Sequence, residues 1–588
     1  RQQTDNVGSI DVQDLHSHAP LSRTGAAFAL AGIVVLALVL RVRGLEYLLP
    51  QSTHLDATVI KSQVDALRSG VAASDTEALD EWYPYLLAHL GALLPDALAE
   101  AATLDLAGHL ARASTPFLQL RWISILGSLP IVAATYLLAR KFTERWPALF
   151  AAALVATSPL NISFAQQERP HALAASCVAF SVLASMRLAR RPTLGACALV
   201  GLGAALAIGA LQNGVAVGFP IVAAVGFALA GPRERRPRAL TVAAGAAVAL
   251  GLIAAGLRLC YPFHFEGDRG YLSLNDEDGG KTFNISGQSV HSNHFDGTGF
   301  DTLARTLYAY LPHVALLLVV GLVAAIAARR TRSRGSPALW IALAYAAPYT
   351  LVIGLHSLTW ERYLMPLEPF LASFGAWGLA RVLARRQRLA IVLAAVLAAC
   401  GTALSWRIGS VRGADDTYEL AARWISEHAR PSDPILAMPY IDLPLLQREE
   451  NLRSRPPLTW WSSYQALQAA EQKLGPRFDF TLPKGPQAAR EEWGEEPLVH
   501  MRRVGARFVL VQHVGASFGY KLALRIRQTL LEHAQLRARF SPLAEDNGGM
   551  ARHEIRRHRE SYERPFFLAL FEHARMGPTI EIYELPQR

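Results

Sequence analysis

The sequence predicts an α-helical polytopic membrane protein with an extracytoplasmic α/β domain at its C-terminal end. Of the 588 residues, 51% are hydrophobic and only 18% are charged, with a mean hydropathy of +0.20. Apolar runs recur at roughly the 20 residues that a membrane-crossing helix needs. Helix and strand patterns alternate only after about residue 410. This composition excludes an ordinary soluble enzyme.

Applied along the chain, the length rule predicts about 11 transmembrane helices. They lie near residues 24–41, 121–139, 146–163, 171–187, 194–211, 213–230, 239–258, 306–328, 337–355, 363–380 and 388–406. The boundary near 211–218 depends only on Asn and Gly residues, which mark a tight turn.

The basic joints between these helices set the predicted topology. Arg-rich segments recur at 139–146, 187–192, 231–238, 329–334 and 381–388. Because Lys and Arg concentrate on the cytoplasmic side, residues 1–23 are expected in the cytoplasm and the tail 407–588 outside. The net charge of +10 therefore indicates topology rather than nucleic-acid binding. We expect the inner membrane of a bacterium, with a periplasmic tail and large external loops at 42–120 and 259–305.

Shorter patterns subdivide the external parts. Apolar spacing predicts an amphipathic helix over 57–70, and 82–94 is apolar but too short to cross, which indicates an interfacial or re-entrant helix. In the tail, helices are predicted over 417–429 and 520–534, and strands over 433–439, 506–512 and 579–586. No Gly-rich phosphate loop follows these strands.

Neither cysteines nor metal ligands form a defined site in the sequence. The four cysteines show no paired spacing. His291, His294 and Asp296 have residue types that metals prefer but match no defined loop spacing, so a solvated loop is favoured and no metal or other cofactor is predicted.

The charge distribution disfavours a transporter, because no apolar run carries Lys or Arg in its middle, where ion-coupled transporters keep ionisable groups. Polar residues gather instead at the external ends of helices. That placement favours an enzyme acting on a lipid-linked substrate at the outer leaflet.

The first gathering follows the first helix and contains His54, Asp56 and Lys61. Asp56 is a candidate general base, and Lys61 a candidate phosphate ligand. The other interpretation is that Asp56 caps the following helix, which residue preferences alone favour.

The second gathering is the joint "FAQQERPHAL" at 164–173, with Glu168, Arg169 and His171. The planar guanidinium group of Arg169 is suited to bind a phosphate through two parallel hydrogen bonds. Snorkelling to headgroups, or pairing with Glu168, is the structural alternative.

The third gathering contains Glu361, Arg362 and, about two turns deeper, Glu368. Glu368 is the one carboxylate inside a predicted span. Its predicted partner is Arg362, Arg169 or a hydroxyl, and a structural ion pair and a catalytic role are equally compatible with it. His313 is interpreted as a core histidine.

Together these gatherings resemble the GT-C superfamily of integral-membrane glycosyltransferases, and glycosyltransferase family 39 in particular, with its protein O-mannosyltransferases and lipid A aminoarabinose transferases. The resemblance rests on ordered motifs across residues 24–406: "RVRGLEYLLPQSTHLDA" (41–57), "EWYPYLLAHLGALL" (81–94), "RWISILGSLPIVAATYLLARKF" (121–142), "FAQQERPHAL" and "ERYLMPLEPFLASFGAWGLA" (361–380).

The resemblance implies roles for individual residues. Asp56 matches the catalytic carboxylate of the first loop, which favours the base over the cap. Arg169 and Arg362 match basic positions that neutralise the donor phosphate. His54, Lys61, Glu168, His171, Glu361, Tyr363 and Glu368 complete the expected substrate-binding set. Ala57 replaces a second acid of the family motif, and Glu168 stands one place from the usual acid.

The implied function is transfer of a sugar from a polyprenyl-phosphate donor to a lipid, glycan or protein acceptor at the external face, by inverting attack with Asp56 as base. An oligosaccharide ligase of the same superfamily, and a non-catalytic scaffold or assembly subunit that keeps the fold, are the alternatives.

Overall fold

A computed structural model of the protein describes residues 22–49, 55–70, 83–95, 106–230, 239–261, 274–277, 280–285, 288–328, 336–438, 441, 443–448, 451, 476–481, 491–494, 496–512, 520–546, 548–551 and 566–586. His54 and the basic joints 231–238 and 329–334 lie outside these residues.

Helices make up the first part of the chain. In order they are α1 Arg23–Val42, α2 Leu55–Ser69, α3 Leu86–Ala92, α4 Leu106–Ser128, α5 Pro130–Ala139, α6 Arg145–Ala156, α7 Pro159–Ala165, α8 His171–Arg190, α9 Leu194–Ala210, α10 Gly218–Ala230, α11 Ala239–Cys260, α12 Thr298–Tyr310, α13 Pro312–Ala328, α14 Pro337–Leu355, α15 Glu368–Val382 and α16 Gln387–Arg412. A 3₁₀ helix at Gln212–Val217 precedes α10, and another at Glu361–Leu367 precedes α15.

Among the described residues, seven helical segments are long and apolar enough to cross a membrane, or nine if each bent pair forms one span. The predicted count of eleven is therefore not confirmed, although the polytopic membrane fold is. Two predicted spans are too short by this measure: α9 has 17 residues and α15 has 15.

Two predicted spans are bent. Helices α6 and α7 meet at 49°, where Ser158 caps α7 and Pro159 occupies its first turn. Helices α12 and α13 meet at 113° around Pro312, so the span predicted over 306–328 begins only at α13. Proline accounts for both breaks, because it cannot donate the backbone hydrogen bond that would continue the preceding helix.

The segment 259–305, predicted as a large external loop, contains a small antiparallel sheet. Its strands are β1 Leu274–Glu277, β2 Gly280–Ile285 and β3 Gln288–His291, in the order β1-β2-β3. The helices predicted over 57–70 and 82–94 are present as α2 and α3.

The tail is an α/β unit, as predicted. Its helices are α17 Thr417–His428, α18 Pro497–Arg503, α19 Tyr520–His533 and α20 Phe566–Glu572, and its strands are β4 Pro434–Ala437, β5 Asp479–Thr481, β6 Phe508–Gln512, β7 Gln535–Phe540 and β8 Ile580–Glu584. The sheet order is β5-β4-β6-β8-β7, with β4 parallel to β5 and β6, and β8 antiparallel to β6 and β7. All five residues of the central strand β6 are buried.

The tail packs directly on the helical part. The rings of Tyr310 and Phe566 stack with centroids 4.3 Å apart, and Arg407 Nη2 donates to the carbonyl of His573 at 2.6 Å. These contacts hold α20 and the residue that follows it against α12 and α16.

Candidate functional site

Asp56 lies in the first turn of α2, where the partial positive charge of the helix N-terminus favours a carboxylate. Tyr83 Oη donates to Asp56 Oδ2 at 2.9 Å, and Arg169 Nη2 lies 2.5 Å from the same oxygen. Among the described residues, the carboxylate contacts these two side chains and accepts no hydrogen bond from the backbone N–H groups of α2.

The second carboxylate oxygen of Asp56 remains available. Oδ1 accepts no hydrogen bond from any residue that the structure describes, and the side chain is 14% exposed. Burial of the Tyr83 hydroxyl, with Asp56 beside it, raises the pKa of Tyr83, so the phenol stays protonated and donates at neutral pH. The geometry is that of an oriented carboxylate with one oxygen open to a proton donor.

Two guanidinium groups accompany this carboxylate. Arg169 is 3% exposed, and its Nη1 also lies 3.5 Å from Gln167 Oε1. Arg362 stacks over the ring of Trp360, with 4.7 Å from Cζ to the centroid, and adds to the positive field at Tyr83 together with Arg169. The Nε atoms of both arginines are buried and have no hydrogen-bond partner within the described part of the chain.

Aromatic rings join the three sequence gatherings into one site. The His171 and Tyr363 rings are nearly parallel, at 8°, with centroids 6.4 Å apart. His171 also lies 6.2 Å from Tyr83 and 6.4 Å from Phe164. Residues from the first loop, the 164–173 joint and the 361–380 motif are therefore neighbours.

Glu168 forms a buried ion pair with an arginine of α4. Its Oε1 accepts from Arg121 Nε at 2.7 Å, and both side chains are fully buried. Arg121 also donates to the carbonyls of Leu45 and Tyr47. Among the described residues, the ion pair of Glu168 is with Arg121, whereas that of Arg169 is with Asp56, so Glu168 ties the 164–173 joint to α4.

Glu368 is bound to a hydroxyl, one of its three predicted partners. Ser158 Oγ donates to Oε1 at 3.0 Å, and Asn161 Nδ2 lies 3.5 Å from Oε2. Asn161 accepts from Arg41 Nη2 at 2.7 Å. Glu368 therefore belongs to a buried network at the α6–α7 bend, in which its hydrogen-bond partners among the described residues are Ser158 and Asn161 rather than Arg362 or Arg169.

The other residues that the sequence predicted for the site lie in different surroundings. Lys61 Nζ lies 2.5 Å from Asp65 Oδ2, one turn along α2, so its recorded ion pair is internal to that helix. Glu361 is 7% exposed at the start of its 3₁₀ helix, next to Arg362. Ala57, which replaces the family's second acid, packs in a small apolar cluster with Leu49 and Phe117, where a carboxylate would be desolvated.

Sequence reasoning gave no role to Tyr83, Arg121 or Arg41, although each lies in a quoted motif. The motifs contain these three residues, but only the fold shows which side chains each of them contacts. Within the described residues, no three His, Cys, Asp or Glu side chains are placed to hold a metal ion, and His291, His294 and Asp296 form no such group.

The family model described as dolichyl-phosphate-mannose-protein mannosyltransferase matches residues 106–257. The match confirms the predicted resemblance to the GT-C membrane glycosyltransferases and supports a glycosyltransferase. It includes Arg121, Glu168 and Arg169 but neither Asp56 nor Arg362. No curated protein matches the chain.

The chain is also similar to solved structures at low identity. The ArnT structure from Cupriavidus metallidurans bound to undecaprenyl phosphate has a TM-score of 0.47 at 13% identity, covering 95% of this chain and 98% of that one. The apo oligosaccharyltransferase of Archaeoglobus fulgidus has a TM-score of 0.47 at 10% identity, covering 89% and 74%. The arabinofuranosyltransferase AftD from Mycobacteria has 0.41 at 16%, covering 97% and 40%. At such identities, residue roles rest on the geometry of this chain.

Proposed function

We propose that this protein transfers a sugar from a polyprenyl-phosphate donor to a lipid, glycan or protein acceptor at the external face of a bacterial inner membrane. The observation that carries the proposal is the contact of Asp56 with Arg169 and Tyr83, which leaves Asp56 Oδ1 open. A general base and a phosphate-binding cation are thereby placed side by side, as an inverting transfer requires.

In the proposed reaction, Asp56 takes the proton from the acceptor hydroxyl or amine. The acceptor atom forms a bond to the anomeric carbon as the bond from that carbon to the phosphate oxygen breaks. The electron pair leaves with the polyprenyl phosphate, whose growing charge is stabilised by the guanidinium groups of Arg169 and Arg362. Lys61 is a further phosphate ligand only if its pair with Asp65 opens.

The two arginines supply the positive charge that a metal ion supplies in other phosphate sites. We therefore propose a metal-independent reaction. Transfer by the purified protein should continue at the same rate in EDTA. A loss that Mg²⁺ or Mn²⁺ restores would contradict this part of the proposal.

The decisive experiment is mass spectrometry of lipids and external glycoconjugates from cells that lack the gene and from cells complemented with wild type or Asp56→Asn. Asparagine keeps the shape of the side chain but is not a base. We expect the missing glycoform to return with wild type and not with the variant. Asp301→Asn, which removes an exposed acid of α12, is the matched control and should restore it. A glycoform restored in full by Asp56→Asn would reject the catalytic assignment and favour a scaffold.

A further inference from the structure

The hydroxyl group of Tyr349, on α14, connects two distant parts of the chain. It donates to the backbone carbonyl oxygen of Tyr363 at 3.1 Å and accepts from Asn213 Nδ2 at 3.0 Å. Tyr349 is 3% exposed, and its ring stacks on that of Tyr345 with centroids 5.3 Å apart. The proposed reaction gives no role to Tyr349 or Asn213, and the sequence indicates only a tight turn near Asn213.

The Tyr363 carbonyl needs an outside donor because of a proline. Tyr363 lies in the 3₁₀ helix Glu361–Leu367, and in such a helix each carbonyl accepts from the N–H group three residues later. Three residues after Tyr363 the chain has Pro366, which carries no N–H group. The Tyr349 hydroxyl supplies the missing donor, so the backbone at Tyr363 is tied to α14.

The backbone that Tyr349 holds carries two side chains of the candidate site. Arg362 precedes Tyr363, and its Cζ lies 4.7 Å from the Trp360 ring centroid and 5.6 Å from that of Tyr363. The Tyr363 ring in turn lies parallel to that of His171. Arg362 forms no ion pair within the described part of the chain, so these rings and the backbone that carries them set where its guanidinium group lies.

Asn213 sets the direction of the Tyr349 hydroxyl. A tyrosine hydroxyl has one hydrogen, and donation from Asn213 to its oxygen leaves that hydrogen directed at the Tyr363 carbonyl. Asn213 lies in the 3₁₀ helix Gln212–Val217, just before α10. A chain of hydrogen bonds therefore runs from the start of α10, through α14, to the segment that carries Arg362.

We infer that Tyr349 is a positioning residue of the donor site, where its hydrogen bond to the Tyr363 carbonyl orients Arg362 toward the donor phosphate. This role rests on the proposed function, because that function assigns Arg362 to the phosphate. Tyr349 itself does not contact the lipid. Loss of its hydroxyl frees the Arg362 guanidinium to take other orientations. Donor binding then weakens while the base is unaffected, because Asp56 is oriented by other residues.

The test is native mass spectrometry of the solubilised full chain with undecaprenyl phosphate as the probe. Tyr349→Phe keeps the ring and removes only the hydroxyl, so affinity should fall roughly three- to tenfold. In transfer assays the KM for the donor should rise by the same factor, with kcat within about twofold of wild type. Tyr345→Phe is the matched control: it changes a buried tyrosine of the same helix, one turn away, whose hydroxyl has no hydrogen-bond partner among the described residues, and both constants should be unchanged.

A double-mutant cycle distinguishes positioning of Arg362 from a general structural effect. If Tyr349 acts through Arg362, Tyr349→Phe should change affinity by less than about 1.5-fold in an Arg362→Ala background. Asn213→Ala, which leaves the hydroxyl in place but removes the group that directs it, should weaken donor binding in the same direction, by about two- to threefold.

Two results overturn the positioning role while leaving the proposed function intact. One is unchanged affinity in Tyr349→Phe although Arg362→Ala weakens binding, and the other is an equal loss from Tyr349→Phe with and without Arg362. Unchanged affinity in Arg362→Ala would instead remove the arginine from the donor site, and Tyr349 with it. Donor affinity that falls in Tyr349→Phe alongside a normal glycoform in Asp56→Asn would reject the transfer reaction alone.

Discussion

Arg169 Nη2 lies 2.5 Å from Asp56 Oδ2, and this contact joins the proposed phosphate ligand to the proposed base. A donor phosphate binding at Arg169 competes with Asp56 for the same guanidinium group. Donor binding would then loosen the carboxylate at the moment when the acceptor needs a base. Tyr83 keeps the carboxylate oriented throughout, because its hydrogen bond does not involve Arg169.

Tyr83→Phe should lower kcat about tenfold and leave the KM for the lipid donor within about twofold, because a single orienting hydrogen bond is lost while Arg169 remains. Initial rates with purified protein at varied donor concentration give both constants. Tyr308→Phe, which changes an exposed tyrosine, should match wild type. A raised KM with unchanged kcat would show that Tyr83 binds the donor rather than positioning Asp56.

Arg169→Lys and Arg362→Lys should each weaken undecaprenyl phosphate binding roughly tenfold. Lysine keeps the charge but loses the planar fork of donors that matches phosphate oxygens. Native mass spectrometry of the solubilised protein with added lipid measures the affinity. Arg305→Lys, on an exposed ion pair of α12, controls for a change of surface charge and should have no effect. Unchanged affinity in both site variants would remove these arginines from the donor site.

Local patterns were sufficient to predict much of the fold. Helices α2 and α17 and strands β4, β6 and β8 occur where periodicity placed them, because each pattern is contained in a few adjacent residues. The 113° bend before α13 was missed, since its apolar run continues through Pro312. Hydropathy reports the composition of a segment, and it does not show where the chain changes direction within that segment.

The candidate site was less predictable for a physical reason. Its contacts join residues far apart in the chain, such as Asp56 with Tyr83 and Glu168 with Arg121. The sequence offered Arg169 as a partner for its neighbour Glu168, whereas the packing of α4 pairs Glu168 with Arg121.

Glu168→Gln should destabilise the protein by about 3–5 kcal/mol, because it leaves Arg121 as an uncompensated buried charge. Thermal unfolding in detergent measures the loss, and transfer per folded molecule should fall much less. Glu532→Gln, an exposed acid of α19, should leave stability unchanged. A variant with normal stability and abolished transfer would instead assign Glu168 to the substrate, as the family resemblance implies.

Asp416 should make stability depend on pH. Burial, with Glu419 nearby, raises its pKa to about 7 although it accepts the N-terminal hydrogen bonds of α17. The folded state therefore holds a proton that the unfolded chain releases near pH 4. Stability contributed by this group is lost as pH rises from about 4 to about 7, by at most about 1.4 kcal/mol per pH unit.

Asp416→Asn keeps an effective cap but cannot ionise, so unfolding midpoints over this range should vary less with pH than in wild type. Asp415→Asn, on the exposed neighbour paired with Arg423, should retain most of the wild-type slope. Parallel pH profiles for wild type and Asp416→Asn would mean that Asp416 is already ionised in the folded protein.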